Sequence, residues 1–379
     1  MSTRTFKPDP AELRCLFDET PEYTVGVEEE VMLLDPHTLD LAPVAAEVLE
    51  RLHDTSRFKP ELPAAHLEIV TSPARSPVQA LTQLGEARRD LMTAAAGIAL
   101  PAVAGVHPFA NPHGVLSARP QYEGLRRDYG PVAEQQLVAS LQVHVAVGGA
   151  DRTLAVYNAL RCHLPELMAL AANGPFHAGR DTGLATVRPL LSQLLPRQGI
   201  PPRLESWNAL VAELEWGAAA GCLPDSSRWW WELRPHLTYG TLELRVPDAQ
   251  SALTAASGVI GLIHALVLSL AKRYDAGEPL PDAETWRIAE NRFSAVRWGI
   301  QGSMADLSTG ERRPTSERLL ALIEELSPAG TMDMLAQSRE LAQHNGALDQ
   351  RRVAASRGMK GLAAWLVDEF ARPLPPGVV

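Results

Sequence analysis

Three consecutive glutamates, Glu28, Glu29 and Glu30, stand inside an otherwise apolar, β-rich run from Tyr23 to Leu34 that stops at the Asp35–Pro36 turn signal. A half-buried pleated surface disfavours a charged, flexible side chain, so glutamate is depleted in strands. Alternation along a strand sends Glu28 and Glu30 to one face. The exception then recurs. Glu61 and Glu68 flank the turn at Pro63 in the extended region Arg57–Val70, and Glu243 lies in Thr241-Leu-Glu-Leu-Arg-Val246, on the same face as Arg245. Any one of these acids reads well as a solvent-facing residue of a half-exposed strand. Five in three separate strands ask for a common cause. Carboxylates that converge repel one another, and either a cation or an arginine such as Arg245 must offset them. Hard Mg²⁺ or Mn²⁺ takes oxygen ligands of this kind.

Two more segments add candidates. Leu141-Gln-Val-His-Val145 carries the Gln142 carbonyl and the His144 imidazole on one face, although a strand histidine is more often a structural hydrogen-bonder. Arg234, in Glu232-Leu-Arg-Pro-His236, suits either a phosphate or carboxylate ligand or a surface salt bridge.

The rest of the chain sets the fold class. Helical spacing predicts helices over Leu41–Leu52, Pro77–Leu100, Asp151–Ala172 with Asp151 as cap, and Leu204–Ala220. Strands are predicted at Pro101–Phe109 and Leu137–Val147, and a hairpin pairs Trp230–His236 with Thr241–Val246. From residue 251 onward the pattern is almost wholly helical, and residues 173–202 read as loop with one short helix. There is no βαβ rhythm with a Gly-rich first turn, no P-loop, no HExxH and no Gly-x-Ser-x-Gly elbow. The expectation is one α+β domain over 1–379, an antiparallel sheet with helices packed on one face and a mostly helical part from about 251 to 379. Trp229–Trp231 reads as a packed aromatic cluster and Cys162 as a buried small apolar residue.

Composition narrows the partners. With 35 Lys+Arg against 45 Asp+Glu the formal charge is −10, and no basic cluster suits nucleic acid or an anionic membrane. The uncharged stretch Ala252–Ala271 is long enough to span a bilayer, but its Ser, Thr, Gly and His264 favour a core helix. Three cysteines far apart (15, 162 and 222) and an N-terminus without an apolar core point to a cytoplasmic protein. Exposed helical faces leave room for a homodimer.

Thr24-Val-Gly-Val-Glu-Glu-Glu30, Lys59-Pro-Glu-Leu62, Leu67-Glu-Ile-Val-Thr71, Gly105-Val-His-Pro-Phe-Ala110, Asp181-Thr-Gly183, Trp230-Trp-Glu-Leu-Arg-Pro235 and Gly240-Thr-Leu-Glu-Leu-Arg-Val246 occur in this order. A weaker match follows at Asn345-Gly-Ala347 and Gln350-Arg351. Together they resemble the carboxylate–amine ligases of the glutamate–cysteine ligase type 2 family. The resemblance implies a glutamine synthetase-like curved antiparallel sheet that holds Mg²⁺ or Mn²⁺ between ATP and substrate. It implies Glu28, Glu30, Glu61, Glu68 and Glu243 as metal-site acids, with Gln142 or His144 completing the shell and Arg234 and Arg245 near the phosphates. The implied reaction joins glutamate, or another carboxylate, to an amine such as cysteine through an acyl phosphate. Gln142 stands where bacterial members commonly carry a histidine, Gly174 replaces a usual Ser and Trp298 a usual Tyr. The alternatives are a metal-dependent hydrolase using the same acids, or a catalytically degenerate nucleotide-binding scaffold.

Overall fold

A computed structural model describes residues 9–223 and 228–374. Most of the stretch inspected for a secretory signal, residues 1–8, lies outside them. In chain order the strands are β1 (Val25–Leu34), β2 (Phe58–Pro60), β3 (His66–Val70), β4 (Leu100–Ala102), β5 (Leu141–Val145), β6 (Phe176–His177), β7 (Arg180–Asp181), β8 (Leu233–His236), β9 (Thr241–Leu244), β10 (Ser303–Ala305) and β11 (Arg312–Pro314). β2, β3, β1, β5, β9 and β8 lie side by side in that order, and β4 pairs with the far end of β1. Every pairing in this sheet is antiparallel. β6–β7 and β10–β11 form separate two-stranded pairs.

The helices are α1 (Pro10–Glu19), α2 (Ala45–Glu50), α3 (Pro77–Ala95), α4 (Pro120–Tyr129), α5 (Ala150–Leu160), α6 (Leu164–Leu170), α7 (Arg188–Ser192), α8 (Trp207–Ala219), α9 (Leu253–Asp275), α10 (Thr285–Trp298), α11 (Thr315–Leu326), α12 (Met332–Gln343) and α13 (Gly346–Ala371). Local chemistry sets several starts. Ser76 accepts from the Gln79 amide ahead of Pro77, and Ser206 accepts from the Ala209 amide, so each serine caps the start of its helix.

β1 decides which face is which. Val25, Val27, Val31 and Leu33 point into the main core, against Leu81 and Leu84 of α3 and the apolar side of α9. The even positions face the other way. There Glu28 and Glu30 look out from the sheet, whereas Met32 and Leu34 are covered by Leu362 and Leu366 of α13. The helices thus pack on one face, and α13 wraps over one end of the opposite face. α13 can do so because it kinks at Gly358, where φ is +67°.

α9 is long and apolar enough to cross a membrane. Its sides are instead covered by α3, α5, α11 and α12. Gly261 brings α12 close: a Cβ there would fall 2.5 Å from the Met334 Cβ.

Several sequence expectations need correction. The helix predicted to Leu100 ends at Ala95, because the chain turns at Gly97 with φ +79°. The strand predicted over Pro101–Phe109 is only Leu100–Ala102 in β4, and the rest is buried loop. Asp151 does not cap α5; Gly149 holds that place, and Asp151 forms an ion pair with Arg14 of α1. The segment read as one helix to Ala172 is broken by a tight turn at Arg161–His163, just before Pro165. α1 and α4 were not anticipated. Cys162 is buried as expected, and Cys15, Cys162 and Cys222 are all free thiols.

Candidate active site

Antiparallel register assembles the unusual acids into one row across the open face. Glu30 lies directly opposite Glu68, Glu28 opposite Gln142, and His144 opposite Glu243, which in turn pairs with Arg234. Cross-strand partners at such positions share a face, so five strands present these side chains together. Glu61 comes from the loop between β2 and β3. Ligand oxygens of Glu30, Glu61 and Glu68 all lie within 4.8 Å of one another. Lys59 of β2 approaches from the edge, with its Nζ 3.3 Å from Glu68 and 3.7 Å from Glu28.

The electrostatics divide the acids into two groups. Burial, reinforced by the Glu30 charge, pushes the Glu61 carboxyl up to about 8. Burial and the neighbouring Glu28 and Glu61 raise Glu68 well above the usual range, and burial raises Glu30 even with Arg245 nearby. These three carboxylates lack sufficient positive charge. Glu28 and Glu243 are the opposite case. Burial works against Glu28, but His144 and Lys59 together hold it below its ordinary value. Burial likewise opposes ionisation of Glu243, and Arg245 and Arg234 overcome it decisively. Both nitrogens of an Arg234 fork reach Glu243, at 2.6 and 3.1 Å, and Arg245 also pairs with it.

Gln142 bridges the two groups. Its Nε2 donates to Glu30 at 3.0 Å, while its carbonyl accepts from Arg245 at 2.5 Å, so that oxygen faces the arginine rather than the acids. His144 is buried, and burial lowers its pKa toward the neutral imidazole. Its Nδ1 meets Thr241 at 3.1 Å, whereas Nε2 is buried without a hydrogen-bond partner among the described residues and lies 3.7 Å from Glu28. The donor set fits a hard divalent cation on chemical grounds. Three mutually repelling carboxylates supply oxygens, and the orphaned imidazole nitrogen next to Glu28 is a spare ligand atom.

Two openings flank this row. A cleft of about 660 Å³ opens beside Glu28 and His144, walled by Val25, Val70, Pro73 and Tyr239. A smaller cavity of about 190 Å³ opens beside Glu30, Glu61 and Arg245, and Tyr122, Arg188 and Trp230 help to line it. Trp230 therefore borders a cavity as well as packing, edge-on to Tyr129 at 6.0 Å. The turn at Gly240, with φ +65°, carries the chain from β8 into β9, and Tyr239 stacks on His236 with ring centroids 4.2 Å apart.

Supporting residues escaped the sequence reading. Glu29 faces the core and is fully buried against Arg88, whose Nε and Nη2 bond its two oxygens at 2.8 and 2.6 Å. Arg88 also donates to the carbonyls of Gln250 and Ser251. Arg188 bonds Asp248 at 2.6 Å and the carbonyls of Arg245 and Val246, which fixes the segment that follows β9. Asp248 in turn accepts from the Asn173 amide, and Gln350 donates to Asn173. Asp181 and Arg351 pair through two bonds of 2.9 Å. The matches at Asp181-Thr-Gly183 and Gln350-Arg351 thus tie α13 to the loops behind the site. A glutamate whose neighbours on both sides point outward is a findable signal for Glu29; its arginine partner is not.

A fold of this kind, with acids and arginines gathered between two openings, defines an amide-forming ligase once the relatives are considered. The profile of glutamate–cysteine ligase family 2 (GCS2) matches residues 24–367. A Rubrobacter xylanophilus protein whose name assigns it as glutamate–cysteine ligase 2-3 is 35% identical over 370 residues, covering 94% of this chain and 99% of that one. A Corynebacterium efficiens protein named as glutamate–cysteine ligase 2-1 is 31% identical, covering 92% and 94%. Among solved structures, the glutamate–cysteine ligase of Francisella tularensis in complex with AMP superposes with a TM-score of 0.71 at 12% identity, covering 95% of this chain and 92% of that one. A bifunctional glutathione synthetase from Pasteurella multocida gives 0.61 at 14% identity, covering 96% of this chain and 51% of its own. The chain belongs to glutamate–cysteine ligase family 2. It is an ATP-dependent ligase of the glutamate–cysteine ligase kind, with the α+β fold that the motifs implied.

Proposed function

We propose that this ligase joins glutamate to an amine such as cysteine by way of a γ-glutamyl phosphate, with the whole chain acting as one catalytic domain. The observation that carries the reading is the undercompensated triad Glu30, Glu61 and Glu68, of which Glu30 and Glu61 line the smaller cavity. The larger cleft falls within the about 300–1,000 Å³ range usual for small-molecule and cofactor pockets, and the smaller falls below it. ATP accordingly enters beside Glu28 and His144, and the small substrates beside Arg245 and Trp230.

A carboxylate acylates poorly because its leaving group would be oxide; transfer of the γ-phosphoryl group supplies phosphate as the leaving group instead. The amine nitrogen then attacks the acyl carbon, the C–O bond to phosphate breaks, and an amide and inorganic phosphate remain. Glu28, Glu30, Glu61 and Glu68 would hold Mg²⁺ or Mn²⁺, with Glu243 and either His144 or Gln142 at the edge of the set. When bound, the ion neutralises phosphate charge and polarises the transferring group. Arg245 and Arg234, aligned by Glu243, offer guanidinium N–H groups to phosphoryl oxygens. The free thiols agree with a reducing, cytoplasmic setting.

The test is ADP release on mixing the protein with Mg·ATP, glutamate and a panel of amines. Turnover that needs both substrates is expected. If Glu28→Ala and Glu243→Ala each leave it unchanged, the assigned site is wrong.

A further inference from the structure

Glu232 is a buried carboxylate with one oxygen unspent. It is 6% exposed and lies just before β8, where its backbone carbonyl accepts from the Arg245 amide at 2.8 Å. Its side chain pairs with Arg292 of α10 in an uncommon way. Arg292 gives both Nε, at 2.8 Å, and Nη2, at 2.5 Å, to the same oxygen, Oε1. The other oxygen, Oε2, is buried and has no hydrogen-bond partner among the described residues. Arg88 with Glu29, Arg234 with Glu243 and Arg351 with Asp181 all engage both carboxylate oxygens, so this protein builds the two-oxygen fork elsewhere. An unpaired carboxylate oxygen out of water is costly and calls for an explanation; Glu166 has one too, beside Arg318, but unlike Glu232 it does not line this cavity.

The residue also stands in a telling place. Glu232 lines the 190 Å³ cavity together with Glu30, Glu61, Arg188 and Arg245. Of the three acids there, Glu30 and Glu61 belong to the converging triad with Glu68, and Glu232 does not. The cavity is small, so its visitor is small. A buried anion best accepts from a cation.

From this we infer that Glu232 Oε2 receives an ammonium group of an amino-acid substrate in the smaller cavity. The inference rests on the ligase reading above, and it names the recognition element for the small substrates. The ammonium has two sources, the α-ammonium of glutamate and that of the acceptor before it loses its proton to attack.

Glu232→Gln in the full chain tests this, because the amide oxygen still accepts from Arg292 while the anion is gone. KM values are measured for glutamate, for the amine and for ATP, and glutarate, which is glutamate without its ammonium, serves as comparator. A charge-assisted hydrogen bond predicts a rise of about 10- to 100-fold in one KM, with that for ATP unchanged. If the donor substrate is read, the wild-type preference for glutamate over glutarate shrinks by the same factor. If the acceptor is read, that preference stays and the amine KM rises. Either result supports the assignment. All three KM values and the preference within twofold of wild type would overturn it, leaving Oε2 to an ordered water. Should the variant not fold, calorimetry on the wild-type protein decides. Equal affinity for glutamate and glutarate, together with equal affinity for the acceptor and its deaminated analogue, overturns the inference. Absence of ADP release with every substrate pair would instead sink the ligase reading, whereas the calorimetric comparison needs no turnover.

Discussion

Replacing Arg88 by methionine should unsettle the site from behind. Glu29 and Arg88 are 0% and 1% exposed, and they form a two-oxygen fork beneath the sheet at the position between Glu28 and Glu30. Removing the arginine strands a buried carboxylate, which costs about 3–5 kcal/mol. It also orphans the Gln250 and Ser251 carbonyls, worth about 1–3 kcal/mol each if no water reaches them. These terms overlap, so a loss of about 4 kcal/mol is expected. That is a large share of the about 5–15 kcal/mol that folded proteins possess. The double variant Glu29→Leu/Arg88→Met removes the stranded charge and keeps an apolar filling, so it should recover at least about 2 kcal/mol of that loss. Urea unfolding followed by tryptophan fluorescence reads both. An Arg88→Met variant within about 1 kcal/mol of wild type, or a double variant as unstable as the single, would refute the view that an uncompensated charge dominates here.

Three further outcomes are expected. Without divalent cations, Glu61 keeps its proton up to about pH 8, whereas the unfolded chain loses it near the ordinary glutamate value of 4.5. The folded state therefore binds the extra proton in that window, its contribution is full below 4.5, and stability falls as pH rises toward 8. Melting curves should show this slope, and Mg²⁺ should flatten it. Glu61→Gln should be more stable than wild type at pH 8 without metal, yet fail to gain from Mg²⁺ and lose ADP release. An unchanged Mg²⁺ response would exclude Glu61 from the cation set. Gly240→Ala should cost more than about 2 kcal/mol, since φ is +65° and the new Cβ would fall 2.1 Å from Thr20 Oγ1. A thermal shift below one degree would show that the β8–β9 turn is more accommodating than its geometry implies.

Much of the site was legible in the chain because alternation in a strand is a local rule. Glu28, Glu30, Glu68, His144 and Glu243 each break an apolar run at a position whose face is fixed by its neighbours. Glu61 was readable only through the motif around it, since a loop has no period. Gln142 was expected to turn its carbonyl toward metal; the structure gives that oxygen to Arg245, a choice made by a residue 103 positions away. Helix ends were less legible. Pro165 did not stop the helical spacing in the sequence, and the three-residue turn at Arg161–His163 appears only when α5 and α6 pack separately.

By itself the sequence determined the class of fold, the open and covered faces of β1, and the presence of surplus carboxylates in strands. Those follow from period, propensity and the cost of charge on a pleated surface, all of which act between near neighbours. Only the tertiary structure decided which carboxylates meet. Strand register placed Glu30 opposite Glu68 and brought Glu61 to them, while two arginines claimed Glu243 and Arg88 claimed Glu29. It also left Glu232 with one oxygen unpaired among the described residues, because Arg292 approaches from α10 at an angle that no local pattern encodes. Charge compensation is a property of distances, and the distances between residues far apart in the chain are set by folding.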